Sequence, residues 1–161
     1  MNLSEYFAAA LGSYLPAATA FIDGNADHPG LHGFVKFYQT SWDGILVSAE
    51  VTGLPVVQEG DGTGFFAMHI HENGNCTPPF ADTGMHYNPS GRPHPRHEGD
   101  LLPLLADRGY AWSAFFDDRL TIEELIGRSV IIHSRYDDFT SQPSGNSGDK
   151  IGCGIIQAVA R

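Results

Sequence analysis

Two cysteines in 161 residues, Cys76 and Cys153, are too few and too far apart for the close CxxC pairs of a thiolate zinc site. They leave either one long-loop disulfide or two free buried thiols. Basic residues are also scarce. Nine Lys and Arg stand against nineteen Asp and Glu, a formal charge of −10. That balance disfavours nucleic acid and anionic membrane as partners. The acidic groups are scattered, as on an ordinary solvated surface. No apolar run approaches the roughly 18 residues of a membrane span. The opening MNLSEY lacks the basic region of a secretory signal, which reads as cytoplasmic. A disulfide would instead favour an oxidising compartment. Internal repeats and low-complexity stretches are missing too.

What is present begins with a short extension, residues 1–16. Leu3, Phe7, Leu11 and Tyr14 follow a 3.6-residue period, so a short amphipathic helix is expected, ended by Pro16. Its apolar stripe reads as packing, with no chemistry. From Ala17 the pattern turns to short β-like runs broken by Gly, Pro, Asn and Asp. Runs at 17–23, 32–39, 44–52, 64–71, 101–106, 110–116, 128–134 and 151–159 predict eight strands in one domain spanning 17–161. Their spacing suits an antiparallel sandwich or barrel. Two long strand-poor stretches, 72–99 and 135–150, are expected to carry function. TIEEL, from Thr121, reads as one helical turn.

Eight histidines are many for this length. His69 and His71 sit two apart in MHIH, so on a strand both rings point to one face. A core face rarely holds two such rings without partners. His94, His97 and Asp100 lie within HPRHEGD, which read alone is either a ligand set or an exposed polar loop. His133 ends a strand after Val130-Ile131-Ile132, and His86 lies between the two groups. Neutral imidazoles without sulfur suit copper(II), and three histidines with an aspartate suit tetrahedral zinc. Six histidines and one aspartate hold two metals if one histidine is shared. His28 and His32 read as ordinary turn or strand residues.

These pieces, in this order, resemble the copper–zinc superoxide dismutase family. ATAFIDG resembles its first strand, and GFFAMHIHENGNC its copper strand and loop cysteine. HYNPSGRPH keeps the spacing from the bridging histidine to the first zinc histidine, and HEGDL resembles the end of the zinc loop. SVIIHSRYDD and GNSGDKIGCGII resemble the last copper strand and the C-terminal signature. The resemblance implies a Greek-key barrel with one copper and one zinc per chain. Copper would sit at His69, His71, His86 and His133, and zinc at His86, His94, His97 and Asp100. It further implies that Asp137 hydrogen-bonds His71 and His94, tying the sites together, and that Cys76 and Cys153 form the intrachain disulfide.

The implied activity is dismutation of superoxide to oxygen and hydrogen peroxide. His86 would be the shared ligand that takes up and returns a proton. The alternative is a non-catalytic metal-binding module of the same fold, for copper delivery or zinc storage. The expected partners are the superoxide anion and a second copy in a homodimer. Three features depart from the family pattern. Lys150 stands at the anion-guiding arginine, keeping the charge but not the planar fork. The zinc loop is short, with His94 and His97 three apart. The segment from Asp138 to Lys150 lacks most of the family's charged loop, so a wider channel is expected.

Overall fold

The computed structural model describes residues 1–56 and 63–160. The last residue of the expected domain, Arg161, lies outside them. A helix α1 (Leu3–Ser13) precedes strands β1 (Ala18–Gly24), β2 (His32–Gln39) and β3 (Ile45–Thr52). Next come β4 (Phe65–Phe66), β5 (Met68–His71), β6 (Leu104–Asp107) and β7 (Tyr110–Asp117). A short helix α2 (Ile122–Leu125) leads to β8 (Ser129–His133) and β9 (Lys150–Ala158). No helix among the described residues is long and apolar enough to cross a membrane.

All strand pairs are antiparallel, in the order β4-β6-β7-β3-β2-β1-β9-β8-β5. Non-sequential neighbours, β7 beside β3 and β1 beside β9, give the Greek-key connectivity. The two ends of this order, β4 and β5, are separated in the chain by Ala67 alone. Ala67 donates its N–H to Arg135 O at 2.8 Å and accepts from His133 N at 2.9 Å. The chain thus steps from one sheet edge to the other at a single residue, and the barrel is nearly closed. This corrects the expected strand count. The run 64–71 is two strands, because one continuous strand cannot serve both edges. The described residues therefore hold nine strands, not eight.

Period-2 burial builds the interior. Ala18, Ala20 and Ile22 of β1 face Val35, Phe37, Val47, Ala49, Met68, Ile70, Val130 and Ile132, all buried in one cluster. The first half of β3 is buried on both faces, and α1 covers its outer side at Leu46. Ala10 packs with Tyr38 and Leu46, flanked by Tyr6, Phe7 and Ala114. An Asn2–Glu5 capping box starts α1. The buried stripe is therefore centred on Phe7 and Ala10, with Leu11 37% and Tyr14 45% exposed. The expected stripe through Leu11 and Tyr14 is rotated. Small Ala10 lets the helix approach closely, and Tyr6 reaches back to Gln39 O and stacks edge-on against Trp42. The expected turn at Thr121 is α2, with its own Thr121–Glu124 capping box. The loop regions expected to carry function connect β5 to β6 and β8 to β9.

Candidate metal centre

Strand β5 pairs with β8 on one edge, and loop backbone fills its other edge. Ile70 N–H donates to Gly99 O, and Tyr87 N–H donates to Ile70 O, both at 2.8 Å. This places Asp100 opposite His69 and His86 opposite His71. Gly99 is required there, because a Cβ would stand 2.4 Å from Ile70 O. His69 and His71 alternate with Met68 and Ile70, which point into the barrel core, so the two rings face outward under the loops. His133, at the end of β8, completes the cluster.

Two ligand-type groups result, each with its donor atoms within 4.8 Å of one another: His69, His71, His86 and His133, and then His86, His94, His97 and Asp100. His86 belongs to both. All these residues are 7% exposed or less. Every expected ligand is therefore brought together, and His28 and His32 belong to neither group. Those two rings hydrogen-bond locally, to Asn25 and Gly30 O.

Hydrogen bonds fix the tautomers. A carbonyl only accepts, so His71 carries its proton on Nδ1, donated to Gly84 O at 2.9 Å. His133 likewise donates from Nδ1 to Gly148 O at 3.3 Å. His69 and His94 donate from Nε2 to Asp137 Oδ2 and Oδ1, both at 2.8 Å. What remains are bare ring nitrogens. His69 Nδ1, His71 Nε2, His86 Nε2 and His133 Nε2 are buried without a partner among the described residues. Those are one nitrogen from each member of the four-histidine group. Leaving buried polar atoms unpaired is costly, so such a cluster needs a compensating ligand. Four unpaired imidazole nitrogens fit copper. In the second group the Asp100 carboxylate faces His86 Nδ1 at 2.8 Å, His94 Nδ1 at 3.0 Å and His97 Nδ1 at 3.3 Å. Three Nδ1 atoms and a carboxylate fit zinc.

Burial favours the neutral, ligating form of three of the rings, His69, His71 and His133. Burial pushes His69 down to about 4 and His71 down to about 2, and holds His133 well below its ordinary value. Burial alone would raise Asp137, but hydrogen bonds from His69, from the Phe139 N–H and from His94 outweigh it and hold the carboxyl down to about 2. Asp137 was expected to join His71 to His94. It joins His69 to His94, because the proton of His71 is already committed to Gly84.

Lys150, read from the sequence as the anion-guiding cation, is half-buried. Its ammonium donates to Thr83 Oγ1 at 2.8 Å, Gly84 O at 3.2 Å and Phe80 O at 3.3 Å. Burial lowers its pKa. Cys76 and Cys153 are bonded, tying the loop after β5 to β9. Sequence reasoning passed over two further contacts. Arg119 donates to the carbonyls of His97 and Asp100, and the Gln142 amide pairs with the backbone of His94. Neither residue lies in a recognisable motif, so no pattern marked them.

A family model described as copper/zinc superoxide dismutase matches residues 31–156. A copper chaperone for superoxide dismutase from Homo sapiens is 34% identical over 160 residues, covering 91% of this chain and 54% of that protein. The chain thus spans about half the length of that relative. A Cu-Zn superoxide dismutase from Deinococcus radiodurans is 35% identical, covering 72% of each chain. One from Arabidopsis thaliana is 32% identical, covering 86% of this chain and 88% of that protein. Among solved structures, the clock protein EA4 superposes with a TM-score of 0.75 at 27% identity, covering 92% of this chain and 98% of that one.

Proposed function

The chain belongs to the copper/zinc superoxide dismutase family, and from that premise we propose that it disproportionates superoxide to oxygen and hydrogen peroxide at a copper–zinc pair. The observation that carries this reading is the complete set of four unpaired imidazole nitrogens, one on a ring that also belongs to the second group. His69, His71, His86 and His133 would hold copper, and His86, His94, His97 and Asp100 zinc. Copper supplies a one-electron couple, and zinc supplies charge and structure.

The remaining steps belong to the chain. Two superoxide anions and two protons become one oxygen and one hydrogen peroxide. His86 takes up a proton at Nε2 and returns it to the departing peroxide. Asp137 holds His69 and His94 in orientation through their far nitrogens. Lys150 provides positive potential against an overall charge of −10. Its N–H groups are engaged internally, so it acts as a fixed charge beside the site and not as a docking fork.

A second reading is a copper-delivery module. It is favoured by the 34% identity to the human chaperone over most of this chain and by the lysine at position 150. Metal analysis with a superoxide-decay assay on copper- and zinc-loaded protein separates the two. Turnover proportional to bound copper supports the enzyme. Stoichiometric copper without turnover supports delivery, and failure to bind copper rules out both.

A further inference from the structure

We propose that Arg119 and Gln142 are positioning residues for the group His86, His94, His97 and Asp100: they grip the backbone of the loop carrying three of its members and so set its geometry. The proposal rests on reading that group as a zinc site.

Residues 94–100 contain neither helix nor strand, so little regular structure fixes where their side chains point. Within the segment, Asp100 N–H reaches His97 O at 3.2 Å and His97 N–H reaches Asp100 Oδ2 at 3.0 Å, while Gly99 is tied to Ile70 and Tyr87. The carbonyls of His97 and Asp100 and the backbone of His94 are further held from outside. Arg119, just past the end of β7, donates from Nη1 to His97 O at 2.9 Å and from Nη2 to Asp100 O at 2.7 Å. Its guanidinium is planar, so the two carbonyls are held at the spacing of its fork. Asp117 orients the fork. Its Oδ2 accepts from Nη2 at 2.6 Å, and its Oδ1 accepts the Arg119 N–H at 2.8 Å. A lysine would keep the charge but could not reproduce that fixed spacing.

Gln142 works from the opposite side, on the loop between β8 and β9. Its Oε1 accepts the His94 N–H at 3.0 Å, and its Nε2 donates to His94 O at 2.7 Å. The same loop brings Asp137 to the His94 ring. His94 is therefore held at its backbone and at its side chain by one segment. That segment comes so close that a Cβ on Gly145, where φ is +69°, would stand 1.9 Å from Asp137 Oδ1 and 2.7 Å from His94 Nε2. His94 and His97 are only three residues apart, and residues 139–148 facing them carry no charged side chain. Two side-chain clamps supply the order that a longer loop would otherwise have to build. Among the described contacts, neither clamp touches His69, His71 or His133. The effect should therefore fall mainly on one metal.

The test uses the full chain and the variants Arg119→Ala, Arg119→Lys, Gln142→Ala and the double alanine variant. Zinc affinity is measured by chelator competition, and the visible spectrum is recorded with cobalt(II) in place of zinc at saturation. Copper affinity is the internal control. Contacts that orient ligands typically change metal affinity by about 10- to 100-fold. Arg119→Ala should weaken zinc within that range, Gln142→Ala less, and the double variant most. The saturated cobalt bands should shift, copper affinity should stay within about threefold, and lysine at 119 should not rescue. A purely stabilising role would lower the melting temperature and leave the saturated cobalt spectrum unchanged. Should Arg119→Ala fail to fold, Arg119→Lys and Gln142→Ala still decide the matter. Unchanged zinc affinity and cobalt bands in the folded variants overturn the proposal while the zinc site stands. A wild-type chain that binds neither zinc nor cobalt overturns the zinc reading, and the clamps fall with it.

Discussion

His71 and Lys150 share one acceptor: Gly84 O receives His71 Nδ1–H at 2.9 Å and Lys150 Nζ–H at 3.2 Å. A ring of the four-histidine group and the neighbouring cation are thus positioned by the same peptide group. Gly84, at φ +76°, presents its carbonyl to both from a backbone conformation that side chains rarely adopt. Its missing Cβ also leaves room for Glu72 Oε2, which would otherwise lie 2.5 Å away.

Lys150 should therefore matter through charge and through the position of His71. Lys150→Ile should lower the catalytic rate by roughly tenfold and flatten its dependence on ionic strength. Lys150→Glu should be slowest, and Lys150→Arg should raise the rate modestly, because a guanidinium has donors to spare beyond the internal acceptors. Rates measured against salt for the four proteins check this. Identical rates and salt slopes would remove Lys150 from the mechanism.

Asp137→Asn should loosen both metals together, since one carboxylate orients His69 in the first group and His94 in the second. About a 10-fold loss or more in affinity is expected for each metal. Competition titrations with both ions test it. A loss confined to zinc would show that the bond to His69 does not orient that ring.

His133→Ala should abolish copper-dependent activity and leave zinc binding intact, because His133 belongs only to the four-histidine group. Elemental analysis after loading checks the division of ligands. Loss of both metals would contradict it.

The metal-free protein should lose stability as pH falls below neutrality. His69, His71 and His133 have folded pKa values below their ordinary 6.5, at about 4 and about 2 for the first two. Between 6.5 and those values the unfolded chain binds protons that the folded chain refuses. Their contribution is therefore complete above pH 6.5 and is lost on the way down, by up to about 1.4 kcal/mol per pH unit for each ring. Asp137, ordinarily 3.8 and held at about 2, extends the loss to lower pH in the same direction. Melting temperatures of chelator-treated protein at pH 7, 6 and 5 should fall in that order. A flat or rising series would show that the rings are already protonated in the fold.

The ligands were legible because their chemistry is encoded in residue type and order: His69 and His71 at strand spacing, and His94, His97 and Asp100 in one heptapeptide. Which ring Asp137 binds was not legible, since that depends on how each imidazole turns, and His71 turns toward a backbone carbonyl. The rotation of α1 was hidden for a similar reason. Helical period marks Leu11 and Tyr14 as apolar, but the outer face of β3 selects the flatter side around Ala10. Arg119 and Gln142 act on backbone atoms, which every residue possesses, so their partners leave no trace in sequence.

The step at Ala67 has a consequence for the order of folding. β4 can pair only once β6 is in place, and β5 only once β8 is, yet the two strands are separated by one residue. The seam can therefore close only when both ends of the nine-strand order have been laid down, a distant closure that costs chain entropy before it is rewarded. Two of the histidines of the four-histidine group, His69 and His71, lie on β5, at that seam. The metal site should consequently be among the last regions to appear during refolding, and the rate at which it first captures copper would serve as a clock for the completion of the barrel.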